Sequence, residues 1–277
     1  MLLDPLGMPQ RDSPLLARFS AACHIDRAGP ARDVIARLAA AFARLPYENL
    51  TKIIKHARSG NVAQARRGPE EVLDAHFNFG TGGTCFSLTA TLLHLVRSLG
   101  IEAQPILADR RYGPDTHCAL LVWLDGKPHL LDPGYLLVEP ILLPTYGSTM
   151  VATPMHDVVL TARDEGARVD LTTVRRGQRT YRLTYKTRAV DAPEFLRAWD
   201  ASFAWDMMHY PVLTRIADGK QLYLQKNQLM IRGGDAVQRG EIGPDDLVRR
   251  IATEFGVAAD VAARACAILR RRGELER

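Results

Sequence analysis

The spacing of hydrophobic residues divides the chain into a helical first third and a strand-rich middle. Up to about residue 100, apolar side chains recur every three or four positions, which is typical of amphipathic helices. After Gly100 they alternate over short stretches bounded by turn residues, which is typical of strands. The predicted helices are one beginning at Pro14, two at 30–45 and 69–77, and one from Cys85 to the stop at Gly100. The predicted strands are 101–108, 117–124, 129–132, 157–161, 168–174 and 179–186.

The last third of the chain mixes helix and strand. A helix is predicted at 193–203, and strands at 212–217 and 221–224 flank Asp218-Gly219, a two-residue hairpin signal. Two closing helices begin at Pro244 and at residue 258, and the first stops at Gly256. We therefore predict an α+β chain of three parts. These are a helical N-terminal bundle (1–100), a central antiparallel β-barrel (101–190) and a C-terminal α/β lid (191–277).

The composition indicates an ordinary globular protein. Hydrophobic residues make up 47% of 277 residues, which is ample for a core. No apolar run is long enough for a transmembrane helix, and the N-terminus lacks a basic leader, so we expect neither a membrane span nor a secretory signal. The four cysteines show no metal-binding spacing. We therefore expect no metal site and a reducing, cytoplasmic location.

The net charge of +5 fits a phosphate-bearing ligand without requiring one. A nucleic-acid-binding protein would show a basic stripe with interleaved aromatic residues or a recognition helix. The arginines are instead spread along the chain, apart from a cluster near the C-terminus. Nucleic-acid binding is therefore not predicted.

Cys85 stands at the predicted start of a helix, directly behind a glycine-rich turn. Gly82 and Gly83 allow a tight backbone turn, and Thr84 is a suitable N-cap. Unpaired N–H groups and the helix dipole stabilise a thiolate at this position and lower the cysteine pKa. Cys85 is therefore a candidate nucleophile. A buried structural cysteine is the alternative on local sequence.

A candidate base and its orienting carboxylate follow on one predicted hairpin. Asp125-Gly126 is a two-residue turn signal, and the register it sets places Ala119 opposite Asp132. His117 is then diagonal to Asp132 on the same face, about 7–8 Å away, within reach of a histidine side chain. We expect the Nδ1–H group of His117 to meet the carboxylate.

Strand alternation separates this pair from its neighbours. Cys118 and His129 fall on the opposite face of the hairpin, which makes them poorer candidates. The order along the chain is then Cys85, His117, Asp132, as in the transglutaminase-like and papain-like cysteine enzymes. That order predicts a cysteine nucleophile assisted by a histidine and a carboxylate.

At these positions the sequence resembles the arylamine N-acetyltransferase family, from about residue 15 to 258. The family signature Arg-Gly-Gly-x-Cys-Phe-Glu corresponds to Thr81-Gly82-Gly83-Thr84-Cys85-Phe86-Ser87. The family motif Pro-Phe-Glu-Asn-Leu corresponds to Pro46-Tyr47-Glu48-Asn49-Leu50, and its Thr-His motif corresponds to Thr116-His117. The family motif Leu-Val-Asp-Val-Gly-Phe-Gly corresponds to Leu130-Leu131-Asp132-Pro133-Gly134-Tyr135-Leu136.

The resemblance implies acyl transfer through Cys85. Acetyl-CoA would acetylate the thiol, and a small-molecule amine would then take the acetyl group, with no permanently bound cofactor. His117 would hold Cys85 as a thiolate and later accept the amine's proton. Asp132 would fix the imidazole, and the Cys85 N–H would donate to the oxyanion. The substrate-binding residues would include Tyr47, Phe86 and Tyr135.

Several positions depart from the family pattern. Thr81 replaces the signature arginine, so Glu48 loses a cation, for which Lys52 is a local substitute. Further departures are Ser87, Thr89, Pro133 and Leu136. Three alternatives therefore stay open: an amide synthase using a carrier-protein-bound acyl group, a transglutaminase-like cysteine hydrolase, and an inactive binding scaffold.

The stretch between Cys85 and His117 is short for the family, and we assign the missing residues to a loop at 109–115. A shorter loop would widen the mouth of the site, and Arg110 and Arg111 would make its rim basic. We therefore expect a bulkier or anionic acceptor or donor in preference to a small arylamine.

Overall fold

The computed structural model describes residues 4–135, 137, 139–153, 156–234 and 236–275; Leu136 of the quoted motif lies outside these residues. The described α-helices are α1 (Pro14–Ala22), α2 (Ala31–Phe42), α3 (Leu50–Ser59), α4 (Val62–Ala65), α5 (Pro69–Phe79), α6 (Cys85–Ser98), α7 (Ala192–Ala201), α8 (Leu247–Phe255) and α9 (Ala259–Arg271). The described strands are β1 (Tyr47–Glu48), β2 (Ala103–Arg110), β3 (Gly113–Leu124), β4 (Lys127–Leu131), β5 (Ile141–Leu142), β6 (Ser148–Ala152), β7 (Asp157–Arg163), β8 (Arg168–Arg175), β9 (Gln178–Lys186), β10 (Val212–Ala217), β11 (Lys220–Gln225), β12 (Gln228–Gly233) and β13 (Ala236–Glu241).

Helix ends lie where the sequence places start and stop signals. The Ser13 hydroxyl accepts a hydrogen bond from the Leu16 N–H at 3.2 Å, which caps α1. Helix α6 begins at Cys85, as predicted. Helix α8 ends at Gly256, whose φ of 68° is in the left-handed region that favours glycine.

The chain divides into two compact units, and the first comprises Asp4–Ala43 with Thr89–Ala198. Its strands form an eight-stranded antiparallel sheet in the order β5-β4-β3-β2-β9-β8-β7-β6, which makes a nearly closed barrel. Inward-facing residues of successive strands share one core, including Ile106, Ala119, Leu130, Leu160, Leu171 and Leu183. The predicted α+β fold with a central antiparallel barrel is confirmed.

The hairpin that carries the candidate base has the predicted register. Asp125 and Gly126 form its turn with φ values of 51° and 72°, as a type I′ turn requires. Leu124 pairs with Lys127 across the turn. Since β4 ends at Leu131, the next residue, Asp132, emerges from the end of the pair.

The other unit contains 44–88 and 199–275. A five-stranded antiparallel sheet, in the order β1-β10-β11-β12-β13, lies in this unit with α3, α4, α5, α8 and α9. The three-part division at residues 100 and 190 stays a prediction.

The predicted loop at 109–115 is wrong, because most of it is strand. Strand β2 continues to Arg110 and β3 begins at Gly113, which leaves a two-residue turn. Pairing of Arg110 with Leu183 of β9 keeps this polar segment extended. The sequence pattern missed the pairing because it is long-range.

Other elements were also missed from the pattern. Helix α3 follows the predicted break at 46–50, where the Glu48 carboxylate accepts a hydrogen bond of 2.9 Å from the Thr51 N–H and so caps the first turn. Strands β5, β6, β12 and β13 were not predicted; β13 is exposed along its length, so it lacks the alternation that marks a half-buried strand.

Candidate active site

Cys85 is the first residue of the 14-residue helix α6 and is 2% exposed. The turn before it requires glycine at position 82, because a Cβ there would overlap the backbone carbonyl of Pro46. The first N–H groups of a helix lack intrahelical acceptors, and the dipole is positive there. The backbone therefore provides an environment that favours a thiolate.

A buried ion pair supports the turn before Cys85. Arg67 lies 3.7 Å from Glu48, and both side chains are almost fully buried. The same guanidinium donates hydrogen bonds of 2.6 Å to the Gly82 carbonyl and to the Thr51 hydroxyl. Arg67 is therefore the cation beside Glu48, which corrects the expectation that Lys52 takes this role. Sequence reasoning missed Arg67 because it lies on a different segment.

Lys52 has different partners in the same unit. Its ammonium donates to the Ser202 carbonyl at 2.8 Å and to the Ser202 hydroxyl at 2.6 Å. Burial lowers the Lys52 pKa from 10.5 to about 7, and the charge of Cys85 partly offsets this effect. The sequence signal was weak: Lys52 precedes the buried residues Ile53 and Ile54 on an otherwise amphipathic helix.

Phe86 and Tyr47, two predicted substrate-binding residues, lie in the same unit. Phe86 is fully buried and stacks on Trp199, with 6.1 Å between the ring centres. The centre of the Trp205 ring lies 6.2 Å from that of Phe86. Tyr47 is 9% exposed, and its hydroxyl donates to Met207 Sδ at 3.7 Å. Both are part of the packed interior, and their predicted contact with substrate stays a prediction.

His117 and Asp132 meet in the barrel unit, on the hairpin where the sequence places them. His117 Nε2 lies 2.6 Å from Asp132 Oδ2, and both side chains are fully buried. The Tyr185 hydroxyl donates to the same oxygen at 2.6 Å, and the Tyr135 N–H donates to Oδ1 at 3.0 Å. Burial raises the Asp132 pKa, but the interaction with His117 and these hydrogen bonds outweigh burial and hold the pKa below its usual range.

Tyr185 is an orienting residue that sequence reasoning missed. It lies on β9, opposite Ala108 of β2 and remote in sequence from Asp132. Burial, followed by the nearby Asp132 charge, raises the Tyr185 pKa well above its usual value. The phenol therefore stays protonated and donates to Asp132. Its only sequence signal is strand alternation, which places it on the same face as the core residue Leu183.

The nitrogen that meets Asp132 is Nε2, not the expected Nδ1. The outer nitrogen reaches farther from the backbone, so it spans the diagonal separation of a strand pair. Nδ1 lies 2.8 Å from an Arg110 guanidinium nitrogen. Because arginine only donates, Nδ1 accepts this bond and the ring proton is on Nε2.

Arg110 and Tyr135, also predicted to bind substrate, lie beside this histidine. Arg110 donates to the Tyr112 hydroxyl at 2.7 Å and lies 5.6 Å from the Tyr135 ring. The Tyr135 and His117 rings are nearly perpendicular, with 5.6 Å between their centres. Arg111 is exposed at the turn and lies 5.8 Å from the Tyr181 ring, so it does not join this group.

Cys118 and His129 lie on the opposite face of the hairpin, as the sequence predicts. The Cys118 thiol contacts the Thr89 hydroxyl at 3.4 Å, and both are buried. His129 contacts Arg32 at 3.1 Å. Strand alternation therefore separates both residues from Asp132, as predicted.

Among the described residues, the acidic, histidine and cysteine side chains and the helices bear on metal binding and on membrane insertion. Among them, no three His, Cys, Asp or Glu side chains are grouped as they would be to hold a metal ion. None of the described helices is both long enough and apolar enough to span a bilayer.

Comparison of the sequence with protein-family models and with curated proteins gives no match. Solved structures do match. The Mycobacterium marinum arylamine N-acetyltransferase superposes with a TM-score of 0.78 and 18% sequence identity, over 92% of this chain and 98% of that one. The M. marinum enzyme in complex with CoA superposes with a TM-score of 0.73 and 19% sequence identity, over 90% of this chain and 98% of that one.

A third similar structure is the arylamine N-acetyltransferase of Bacillus cereus, described as revealing a unique Cys-His-Glu catalytic triad. It superposes with a TM-score of 0.72 and 15% identity, over 89% of this chain and 99% of that one. These comparisons establish the fold: the chain has the fold of the arylamine N-acetyltransferases.

Proposed function

We propose that this protein is an acyltransferase of the arylamine N-acetyltransferase family, which transfers an acyl group from a CoA thioester to an amine through Cys85. The observation that carries the proposal is the buried His117–Asp132 hydrogen bond of 2.6 Å, in a chain with this fold. A cysteine at a helix start, at the position of the family motif, supports it further.

In the first half-reaction the Cys85 thiolate attacks the carbonyl of the acyl thioester. The new S–C bond forms on Cys85, and the donor's C–S bond breaks. The thiolate that leaves takes the proton that His117 received from the Cys85 thiol. The Cys85 N–H, at the positive end of α6, donates to the oxyanion of the tetrahedral intermediate. The product is an acyl-enzyme.

In the second half-reaction the amine attacks the thioester, and His117 accepts its proton at Nδ1. The amide leaves, and Cys85 becomes a thiolate again. Asp132 and Tyr185 hold the Nε2 side of the ring, so Nδ1 is the nitrogen that exchanges protons. The Arg110 hydrogen bond to Nδ1 therefore has to open during this step.

The substrates follow from the neighbours and from the predicted binding residues. The CoA complex of the M. marinum enzyme supports acyl-CoA as the donor. Tyr47, Phe86, Arg110, Arg111 and Tyr135 are proposed to border the acceptor site. The contacts of Arg110 and Tyr135 with His117 support this role for those two residues.

Mass spectrometry of the intact protein after incubation with a panel of acyl-CoAs tests the proposal. We expect an acyl adduct that maps to Cys85, is absent from Cys85→Ala and disappears when an arylamine or hydrazine is added. The absence of an adduct with every acyl-CoA would contradict the proposed donor. An adduct that water removes as fast as amines do would indicate a hydrolase instead.

A further inference from the structure

Three helices of the unit that contains 44–88 and 199–275 line a cavity of about 590 Å³. This volume lies within the range of about 300–1,000 Å³ that is usual for small-molecule sites. Each helix contributes side chains three or four residues apart, the spacing of a single helix face. These include Ile54 and Arg58 of α3, Ala75 and Phe79 of α5, and Val261 and Arg264 of α9.

Part of the cavity wall is apolar. Ile54 and Val261 pack into the protein and are 8% and 2% exposed, whereas Phe79, at the end of α5, is 42% exposed. An aromatic ring that is open to water on a cavity wall gains free energy when a ligand covers it, because apolar surface leaves water. This wall therefore favours a ligand with an apolar body.

The acidic charge in the cavity is already balanced. Glu71 is the one acidic residue among the described residues that line it. The Lys55 ammonium pairs with one oxygen of this carboxylate, and the Arg67 guanidinium lies 3.7 Å from the other. With two cations beside it, Glu71 opposes an anionic ligand only weakly.

Two further cations on the wall are available to a ligand. Arg58 is exposed, and the described carboxylates include none within ion-pair distance of it. Arg264 pairs with Asp260 of its own helix at 3.5 Å, with both side chains more than half exposed. Such exposed pairs are weak, because water screens them and two long side chains have to be held in place. An anion in the cavity can therefore engage both guanidinium groups.

The cavity also borders a hydroxyl that has no partner. Thr81 lines it and is fully buried, and within the described part of the chain the Thr81 hydroxyl makes no hydrogen bond. A buried hydroxyl without a partner is unfavourable. A polar group that enters the cavity beside Thr81 would relieve this cost.

We propose that this cavity binds a small organic anion, with its apolar body against Ile54 and Phe79 and its anionic group on Arg58 and Arg264. Carboxylates, sulfonates and phosphate esters share this chemistry, since a guanidinium binds each of them through paired N–H donors. Cys85 does not line the cavity. The cavity is therefore a second binding site, and its occupation does not depend on the proposed acyl transfer.

Isothermal titration calorimetry of the full chain with 2-naphthalenesulfonate tests the proposal, because this probe joins an apolar ring system to one anionic group. We expect one site per chain. The sulfonamide of the same ring system is neutral and similar in shape, and it should bind about tenfold more weakly, since it lacks the charge that strengthens these hydrogen bonds. Inorganic sulfate, which has no apolar body, should also bind more weakly than the naphthalenesulfonate.

Two results of this titration would overturn the proposal. If the sulfonate does not bind, the cavity is not a site for organic anions. If the sulfonamide or inorganic sulfate binds as tightly as the naphthalenesulfonate, the charge or the apolar wall contributes nothing, and the proposed ligand class is wrong.

Substitution of the two available arginines tests their role. Arg58→Ala and Arg264→Ala should each lower the affinity for the sulfonate by about threefold to tenfold. Both side chains are exposed, so the variants should stay folded, which circular dichroism checks. Arg271→Ala is the matched control, because it removes an exposed arginine of α9 that does not line the cavity. Unchanged affinity in the double variant Arg58→Ala with Arg264→Ala would contradict the proposal.

Methyl-labelled protein locates the probe directly. Addition of the sulfonate should shift the methyl resonance of Ile54 and leave that of Ile106, in the barrel core, in place. Ala75→Trp places a large side chain in the cavity and, where circular dichroism shows it folded, should lose binding. Shifts that leave out Ile54 would mean that the probe binds elsewhere and would overturn the assignment.

Discussion

His117 Nε2 donates a hydrogen bond to Asp132 Oδ2 across 2.6 Å, with both side chains fully buried. The carboxylate also accepts hydrogen bonds from the Tyr185 hydroxyl and the Tyr135 N–H. A buried carboxylate with these donors stays ionised and holds the imidazole in one orientation. Its environment therefore affects both activity and the acid stability of the protein.

Tyr185→Phe removes one donor to Asp132 and should reduce stability by about 1–3 kcal/mol, as expected for a hydrogen bond to a charged group. The Asp132 pKa is lower in the folded protein than in the unfolded chain, so its stabilisation is present at neutral pH and lost as the pH falls. In the variant this pKa should rise, and acid unfolding should begin at a higher pH.

Circular dichroism during acid titration measures this effect. Tyr181→Phe is the control, because the Tyr181 hydroxyl, on the same strand, bonds to Thr184 at 2.8 Å. Equal acid sensitivity of the two variants would show that the Tyr185–Asp132 bond is not responsible.

Substitution of the cysteines separates the candidate nucleophile from the structural thiols. Cys85→Ala should abolish turnover while the protein stays folded. Alanine at Cys23, Cys118 or Cys266 should retain activity, measured as acyl transfer to an arylamine. Cys118 is the sharpest control, because it is buried against Thr89 on the opposite face of the hairpin. Equal loss at Cys118 would contradict the assignment of Cys85.

Arg67→Met should destabilise the protein by roughly 3–5 kcal/mol, since it leaves the buried Glu48 carboxylate without its cation. Urea unfolding measures the change. The double variant Arg67→Met with Glu48→Gln should recover part of the loss. Arg249→Met is the surface control, since its pair with Asp246 is exposed and such pairs contribute about 0–1 kcal/mol. A loss at Arg67 no larger than at Arg249 would contradict the role of the buried pair.

Lys52→Met should change how stability depends on pH. The Lys52 pKa is about 7 in the folded protein and 10.5 in the unfolded chain. Between these values the unfolded chain binds the proton and the folded protein does not, so wild-type stability falls as the pH falls. The variant lacks this dependence and should gain on the order of a few kcal/mol relative to wild type between pH 10 and 6.

Urea unfolding of Lys52→Met and wild type at several pH values checks this difference. Lys55→Met is the control, because its ammonium is paired with Glu71 and the Arg66 carbonyl. A difference between wild type and Lys52→Met that stays constant from pH 10 to 6 would mean that Lys52 keeps an ordinary pKa in the folded protein.

The preference for bulky or anionic substrates stays a prediction. The structure has a tight hairpin turn in place of the short loop expected at 109–115, so the prediction now depends on the two arginines alone. Arg110 and Arg111 remain at the end of this hairpin. Their joint replacement by alanine should lower kcat/KM for carboxylate-bearing amines more than for aniline-type or hydrazine acceptors. If simple arylamines are preferred and the double variant behaves as wild type, the charge argument is wrong.

The sequence by itself determined the elements that depend on local rules. The Asp125-Gly126 turn set the register of its hairpin, because a two-residue loop of this type permits one pairing of the flanking strands. Glycines and capping residues located the start of α6 and hence Cys85. Alternation then separated His117 from Cys118. These features need only neighbours within a few residues or across one turn.

Only the tertiary structure decided which distant groups surround these residues. Tyr185 donates a hydrogen bond to Asp132 from another strand, and Arg67 pairs with Glu48 from another segment. The Ser202 carbonyl accepts a hydrogen bond from Lys52. The tertiary structure also decided which His117 nitrogen bonds to Asp132, because that depends on how far the ring reaches across the strand pair. A buried charge selects its partner through desolvation and geometry, and both arise only when remote segments pack together.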